Sequence, residues 1–490
     1  MQPFFSEISL AKTSELPVYL QLASIITGFI KDGYLKAGDQ LPSTRNLAKN
    51  LKVHRKTVVR TYEDLILQGW LESYSGSGTF VSNHFPETLA QKLKKQQKNI
   101  NQPVQQAGFT FPNPPHLDRE TSQSGAAYHL DDGFPDPRIA PLADLSRAHR
   151  TQLLTGNSYA RLGYQDTQGS IWLREELSKH LNSTRGMKTT AENILITRGA
   201  VMGLYLACTG LIERGNKVIS GAPGWLTTEA IFTQAGASVL RIPVDEYGIK
   251  VDELEEICKK TTIRMVYVTP HHHYPSTVIL RADRRLQLLR LAEKYGFIIF
   301  EDDYDYDFHF QNKPISPLAS IDQNGMVLYC GSFTKAISPA FRVGYLAGPV
   351  DVIKHLSKLR RIIDRQGDIM LENALAELLQ GGVIQRHLRK SVRLYRQRRD
   401  VFCELMENKL SNYVQFIKPE GGMAVWTSFE AGINMAELSA SARRKDLYFS
   451  DGLHHSTLGK ANFTRLGFAS STFEELELAV EILMNLLKKH

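Results

Sequence analysis

Between Asn83 and Ala127 the chain changes character, and this break limits every fold open to it. Gln91–Gln106 reads QKLKKQQKNINQPVQQ, and Phe109–His116 reads FTFPNPPH. Amides, lysines and prolines at that density cannot bury enough apolar area to offset the entropy of ordering. A linker is expected there, and a flexible segment of about 40 residues spans about 35 Å root-mean-square. No single core can run through it. The 490 residues are accordingly read as a small module at 1–83, a linker at 84–127 and a body at 128–490.

Within the module, Val18, Leu22, Ile25 or Ile26, and Phe29 recur at helical spacing and predict an amphipathic helix ending near Gly33. Ser43 and Thr44 offer a cap before Leu47, Ala48 and Leu51, a short second helix. After a break at Lys52-Val53, Val58, Tyr62 and Leu65 form one buried stripe, while Arg55, Lys56, Thr57 and Arg60 lie on the opposite face. Two helices around a tight break, the second basic at its start, suit insertion into a DNA major groove. Trp70–Tyr74 and Thr79–Val81 flank Gly76-Ser77-Gly78, a hairpin signal that supplies a wing. A solvated helical bundle with ordinary surface charge fits the helix spacing equally well.

The body alternates β-branched runs with helical stretches, the pattern of a mostly parallel sheet covered by helices. Strands are expected at 193–197, 217–220, 265–269, 297–300, 326–329 and 343–346. Ligands in such folds gather at the carboxyl ends of strands, where the chemically loaded residues fall. Arg198-Gly199-Ala200 opens a helix whose free N–H groups suit phosphate. Glu301–Asp307 reads EDDYDYD, Cys330–Lys335 reads CGSFTK, and Arg342 follows seven residues after the lysine. Together they make a case for an aldehyde cofactor. A lysine can form a Schiff base with pyridoxal phosphate, a neighbouring acid can keep the pyridine nitrogen protonated, and hydroxyls with a fixed cation suit a phosphate dianion. No cysteine or histidine pair accompanies the acids at a zinc-ligand spacing, and no metal is expected. His271-His272-His273 are consecutive, so their side chains diverge.

The series PVYLQL, GYLKAGDQLPSTRNLA, LKVHRKTVVRTYEDL and GWLESYSGSGTFV resembles the winged helix-turn-helix of the GntR family of bacterial regulators. EDDYDYDF, GSFTKAISPAFRVGYLAGP, GYQDTQGSIWLREEL, ILITRGA and FTRLGFAS resemble the fold-type-I aminotransferase body of the MocR subfamily of those regulators. The fold so implied is an N-terminal winged helix-turn-helix joined to an α/β pyridoxal-phosphate-dependent transferase body with a small C-terminal α/β subdomain.

On the DNA side the resemblance implies contacts from Arg45, Arg55, Lys56 and Thr57, with Gly78 and Thr79 at the wing tip; His54 stands where the family often has Ser or Thr. On the cofactor side it implies Lys335 as the Schiff-base lysine and Asp302 as partner of the pyridine nitrogen. Tyr304 would donate to the ring phenolate oxygen, and Trp225 would take the place of a stacking tyrosine. Gly199, Ala200, Ser332, Thr334 and Arg342 would hold the phosphate, and Tyr164 would reach the phosphate of a second subunit. Arg465 matches the arginine that takes a substrate carboxylate in aminotransferases. Thr227 falls where GABA-sensing members carry a second anion-binding arginine, which argues against GABA as effector.

The function so implied is a homodimeric regulator that reads repeated half-sites on double-stranded DNA and senses an amino compound, or pyridoxal 5'-phosphate itself. Sustained turnover is not expected, although the residue types permit half-transamination; the rival reading is a working aminotransferase carrying a DNA-binding domain. No apolar run approaches the roughly 20 residues that cross a bilayer. Cys208, Cys258, Cys330 and Cys403 are widely spaced, as reduced thiols in the cytoplasm would be. The opening residues do not read as a secretory signal. Lys358, Arg360, Arg361, Arg365, Arg386, Arg389, Lys390, Arg393, Arg396, Arg398 and Arg399 read as the solvated face of long helices, against a second DNA-tracking patch.

Overall fold

The computed structural model describes residues 8–11, 16–84, 105–118, 125–157, 159, 162–310, 315–455 and 462–488. The chain divides into two compact units, 1–111 and 112–490. Most of the expected linker lies outside the described residues. Of the described part, Pro115–Leu117 form a single 3₁₀ turn, and His116 hydrogen-bonds Gln234 at 2.8 Å.

In the first unit, α1 (Val18–Lys31) buries Leu22, Ala23 and Ile26, so Ile26 rather than Ile25 faces the core. The Ser43 hydroxyl caps α2 (Thr44–Leu51) by accepting the Asn46 N–H at 3.3 Å. Lys52, left-handed at φ 51°, ends that helix and sets the tight break. Helix α3 (Arg55–Leu67) buries Val58, Thr61, Tyr62 and Leu65. The Tyr62 hydroxyl donates to Pro42 O at 2.8 Å, tying α3 to the start of α2. Strands β1 (Leu71–Tyr74) and β2 (Gly78–Val81) form the expected antiparallel hairpin.

His54 is the N-cap of α3, its Nδ1 accepting the Lys56 N–H at 3.2 Å. Removing a capping acceptor costs about 1 kcal/mol. His54→Ala is therefore expected to speed hydrogen exchange in the first turn of α3 about fivefold, while His54→Ser, which keeps an acceptor, leaves it close to wild type.

The second unit is built in chain order from β3 (Tyr128–His129), α4 (Leu142–Leu154), α5 (Ile171–Arg185), β4 (Ile194–Thr197), α6 (Ala200–Leu211), β5 (Lys217–Ala222), α7 (Leu226–Gln234), β6 (Ser238–Asp245), β7 (Gly248–Ile249), α8 (Val251–Lys260), β8 (Met265–Val268), α9 (Ala282–Tyr295), β9 (Ile298–Asp303), α10 (Leu318–Ile321), β10 (Val327–Ser332) and β11 (Gly344–Ala347). It continues through α11 (Val350–Ile363), α12 (Ile369–Gln380), α13 (Val383–Leu410), β12 (Val414–Phe416), β13 (Ala424–Phe429), α14 (Met435–Arg443), β14 (Leu447–Tyr448), β15 (Phe463–Gly467) and α15 (Phe473–Leu487).

All six expected strands join one eight-stranded sheet of order β4-β11-β10-β9-β8-β5-β6-β7. Its centre is parallel; β11 runs antiparallel to both β4 and β10. Successive strand residues face opposite sides, so each strand feeds two cores. Ile219, Val266 and Ile299 pack with Leu254 of α8 and Leu288 of α9. Their neighbours Val218, Met265 and Phe300 pack with Leu204 of α6 and Leu356 of α11. Strands β12, β13 and β15 form a separate antiparallel sheet, and β3 pairs in parallel with β14.

Strands β6 and β7 lie outside the six expected, and β9 and β10 run on past their expected ends. Strand β6 was not anticipated: its residues are mostly half-exposed, and Arg241 and Pro243 interrupt any apolar run. Strand β9 runs on to Asp303 rather than ending at Phe300, because the buried acids have partners. Glu301 accepts the Leu318 and Ala319 N–H groups at 2.9 Å, and Asp303 lies 3.8 Å from Arg185 Nε.

Candidate functional site

The carboxyl ends of β4, β9 and β10, with the start of α6, open on a cavity of about 310 Å³ lined by Ala200, Trp225, Asp302, Tyr304, Ser332, Thr334, Lys335, Arg342 and Arg465. The sequence-derived candidates thus converge, except that Gly199 lies behind Arg342 rather than in the lining and Tyr164 does not line this cavity. Its ring is exposed and lies under the Arg365 guanidinium at 3.7 Å.

Lys335 follows the turn after β10. Its Nζ donates to Gly133 O at 2.6 Å and lies 4.8 Å from the centre of the Phe134 ring. Burial pushes this amine below its ordinary range, against the opposing pull of Asp132. Asp302, one pleat from the end of β9, accepts the Tyr267 hydroxyl on Oδ2 at 2.7 Å. Its Oδ1 is buried without a partner. Burial pushes the carboxyl up to about 6, despite the Tyr267 hydrogen bond.

The third corner is an anion cradle. Gly199 has φ 82°, and a Cβ there would lie 2.7 Å from an Arg342 nitrogen; glycine alone lets that cation approach the N-terminus of α6. Arg342 itself donates to Arg198 O at 3.1 Å. The Ser332 hydroxyl accepts the Thr334 N–H at 3.0 Å and lies 2.7 Å from the Thr334 hydroxyl. Free helix N–H groups, hydroxyls and a guanidinium suit a dianion.

On the remaining wall, Tyr304 donates to His272 O at 2.9 Å. The three consecutive histidine rings do diverge, to Ile315 O, Asp305 and Pro223 O. Sequence reasoning missed Asp132, Gly133, Phe134, Tyr267 and Tyr274. Tyr267 carried a readable signal, since its place in β8 alternates with inward-packed Val266 and Val268. The others come from a turn and a loop with no periodicity to follow.

In the first unit, Arg45, Arg55 and Lys56 are exposed, as is Gly78 in the hairpin, while Thr57 and Thr79 are half-buried. Arg60 stacks 3.9 Å from the centre of the Tyr19 ring and donates to its hydroxyl, so it serves packing on α1. In the basic cluster of the second unit, Arg360, Arg398 and Arg399 are buried and paired with Asp364, Asp136 and Asp400. That removes three cations from any surface patch. Among the described residues no helix is long and apolar enough to cross a membrane.

Residues 18–81 match the family of bacterial regulatory proteins, gntR family, and residues 136–483 match aminotransferase class I and II. TauR, an HTH-type transcriptional regulator of Rhodobacter capsulatus, is 30% identical over 92% of both chains. The probable rhizopine catabolism regulatory protein MocR of Rhizobium meliloti is 27% identical over 90% of this chain and 87% of its own. Among solved structures, kynurenine aminotransferase of Pyrococcus horikoshii, in complex with PMP, superimposes with a TM-score of 0.70 at 26% identity, covering 77% of this chain and 97% of its own. A gntR-type reader and an aminotransferase body in that order, matched end to end by TauR, mean that the chain belongs to the MocR subfamily of GntR transcriptional regulators.

Proposed function

We propose that this regulator carries pyridoxal phosphate on Lys335 and uses the loaded cavity to sense an amino compound. The observation that carries the reading is Asp302 Oδ1, buried and unpartnered in the wall of the cavity that Lys335 lines. An orphaned carboxylate oxygen is costly unless something cationic meets it, and a protonated pyridine nitrogen is such a group. The cradle of Gly199, Ala200, Ser332, Thr334 and Arg342 supports the phosphate end, and Trp225 with Tyr304 the ring. Bound there, the cofactor supplies an aldehyde for amines and an electron-withdrawing ring. The protein's part is to hold Lys335 below its ordinary proton affinity, so that a larger share is the free amine, and to keep Asp302 facing the ring.

Arg45, Arg55, Lys56 and Thr57, with the wing at Gly78 and Thr79, are proposed as the DNA contacts. One such module reads a half-site, so a homodimer on paired sites is proposed, working in the cytoplasm; Tyr164, exposed and outside the lining of its own cavity, is proposed to serve a second subunit. A ligand moves DNA affinity only by binding the two states of the body unequally. A working aminotransferase is the second reading, favoured by the presence of Lys335, Asp302 and Arg465 in one cavity; multiple turnover with an amino acid and a 2-oxo acid separates the two.

The test is borohydride reduction of cofactor-saturated protein followed by peptide mass mapping. The expected result is one modified peptide containing Lys335 and a colourless Lys335→Ala variant. An unmodified Lys335 peptide overturns the reading.

A further inference from the structure

Arg465 is already engaged by this chain. It sits 2% exposed on β15, its Nε 2.6 Å from Asp132 Oδ1 in an ion pair rather than an aligned hydrogen bond. Its Nη1 donates to Pro275 O at 3.0 Å, and its guanidinium lies 4.8 Å from the centre of the Tyr274 ring. The other Asp132 oxygen accepts the Tyr274 hydroxyl. Both carboxylate oxygens are therefore occupied, and one buried cation is neutralised by one internal anion. The next residue, Gly133, supplies the carbonyl that receives Lys335.

An incoming ligand carboxylate has two routes to Arg465, and each carries a penalty. Sharing the buried guanidinium places a second carboxylate beside Asp132, whose side chain is 31% exposed, and the like charges repel. Expelling Asp132 strips the Tyr274 hydroxyl of its acceptor and removes the anion from a buried cation, which is worse than never having paired it. An amine without a carboxylate meets neither cost. The rest of the wall offers it Phe134, Val201 and Trp225, apolar surface that rewards an apolar body.

We propose that Asp132 acts as a built-in carboxylate on Arg465, and that the cavity selects primary amines with an apolar body and no carboxylate over the corresponding α-amino acids. The proposal rests on the reading that the cofactor sits on Lys335. Asp132 thereby becomes the specificity-determining residue of the site.

Matched pairs test it on full-length, cofactor-loaded protein: 2-phenylethylamine against L-phenylalanine, and pentylamine against L-norleucine. Binding is read by the shift of the cofactor's visible absorbance and by titration calorimetry, each affinity normalised to the same compound's reaction with free pyridoxal phosphate. The expected result is at least a tenfold preference for the amine in each pair. In Asp132→Ala and Asp132→Asn the amino acids should gain tenfold or more while the amines change less than threefold. Amino acids that bind wild-type protein as well as the amines do, or that gain nothing in either variant, overturn the proposal and leave the cofactor reading standing. Wild-type protein that takes up no cofactor overturns both. The wild-type comparison decides the question even if neither variant folds.

Discussion

Replacing Asp302 with alanine is expected to raise the dissociation constant for pyridoxal phosphate by two to three orders of magnitude. Breaking a buried charge pair by removing one partner costs about 3–5 kcal/mol, and each 1.4 kcal/mol is tenfold in affinity. Asp302 is the acid placed for such a pair: its Oδ1 has no partner among the described residues, and Tyr267 holds the other oxygen. The same residue sets a pH dependence. Its carboxyl is pushed up to about 6, chiefly by burial, so without cofactor it is ionised at pH 7 and protonated at pH 5. Because the folded value lies above that of an unfolded aspartate, its contribution to stability is full below about pH 4 and is lost as the pH rises through about 6. Cofactor binding runs the other way, since a cationic ring nitrogen needs the ionised acid. Affinity for the cofactor is expected to fall as the pH drops through about 6 in wild type, and this component should vanish in Asp302→Asn. Titrating the absorbance of both proteins between pH 5 and pH 8 checks the claim; an Asp302→Ala protein with wild-type affinity would remove Asp302 from the site.

The second large effect lies in the other unit. Arg55→Ala combined with Lys56→Ala is expected to weaken operator binding about 10- to 100-fold and to lower the slope of log affinity against log salt by about 2, one for each DNA phosphate that the variant leaves without its cation. Both residues are exposed in the first turn of α3, the end that faces bases and backbone when a recognition helix enters the major groove. Arg60 is excluded from this pair because it is held by Tyr19. Arg393→Ala on α13 is the contrast: if the exposed arginines there are only a solvated face, neither affinity nor slope changes. Fluorescence anisotropy across a salt series reads both quantities, and an unchanged slope in the Arg55/Lys56 double variant would place the DNA elsewhere.

The sheet was legible where its strands, such as ILIT at one edge and MVYV near the centre, are almost wholly apolar and buried on both faces. Beyond β5 it was not: β6 carries Arg241 and Pro243, and no run distinguishes it from a loop. The acids of β9 do not look like strand residues, and only the contacts with Leu318, Ala319 and Arg185 explain why the backbone stays extended through them. In the site, Lys335, Arg342 and an acid among Glu301–Asp307 could be proposed from their places at strand ends, and it was the family resemblance that singled out Asp302. Asp132 was not readable, because its meaning comes from Arg465, far along the chain, and no local pattern encodes that meeting. His54 lay between the two: its residue type departs from the usual cap, and only the geometry reveals that an imidazole nitrogen performs the same task.

The short parallel pairing of β3 with β14 carries a mechanical consequence. Tyr128 and His129 pair with Leu447 and Tyr448, and Asp131, Asp132 and Gly133 follow at once. The cavity wall at Asp132 and Phe134 and the β3–β14 ladder are thus a single stretch of backbone. A shift of the Gly133 carbonyl away from Lys335 is therefore transmitted within a few residues to the β3–β14 pairing, which makes that short ladder a reporter of cavity occupancy readable by hydrogen exchange at Leu130.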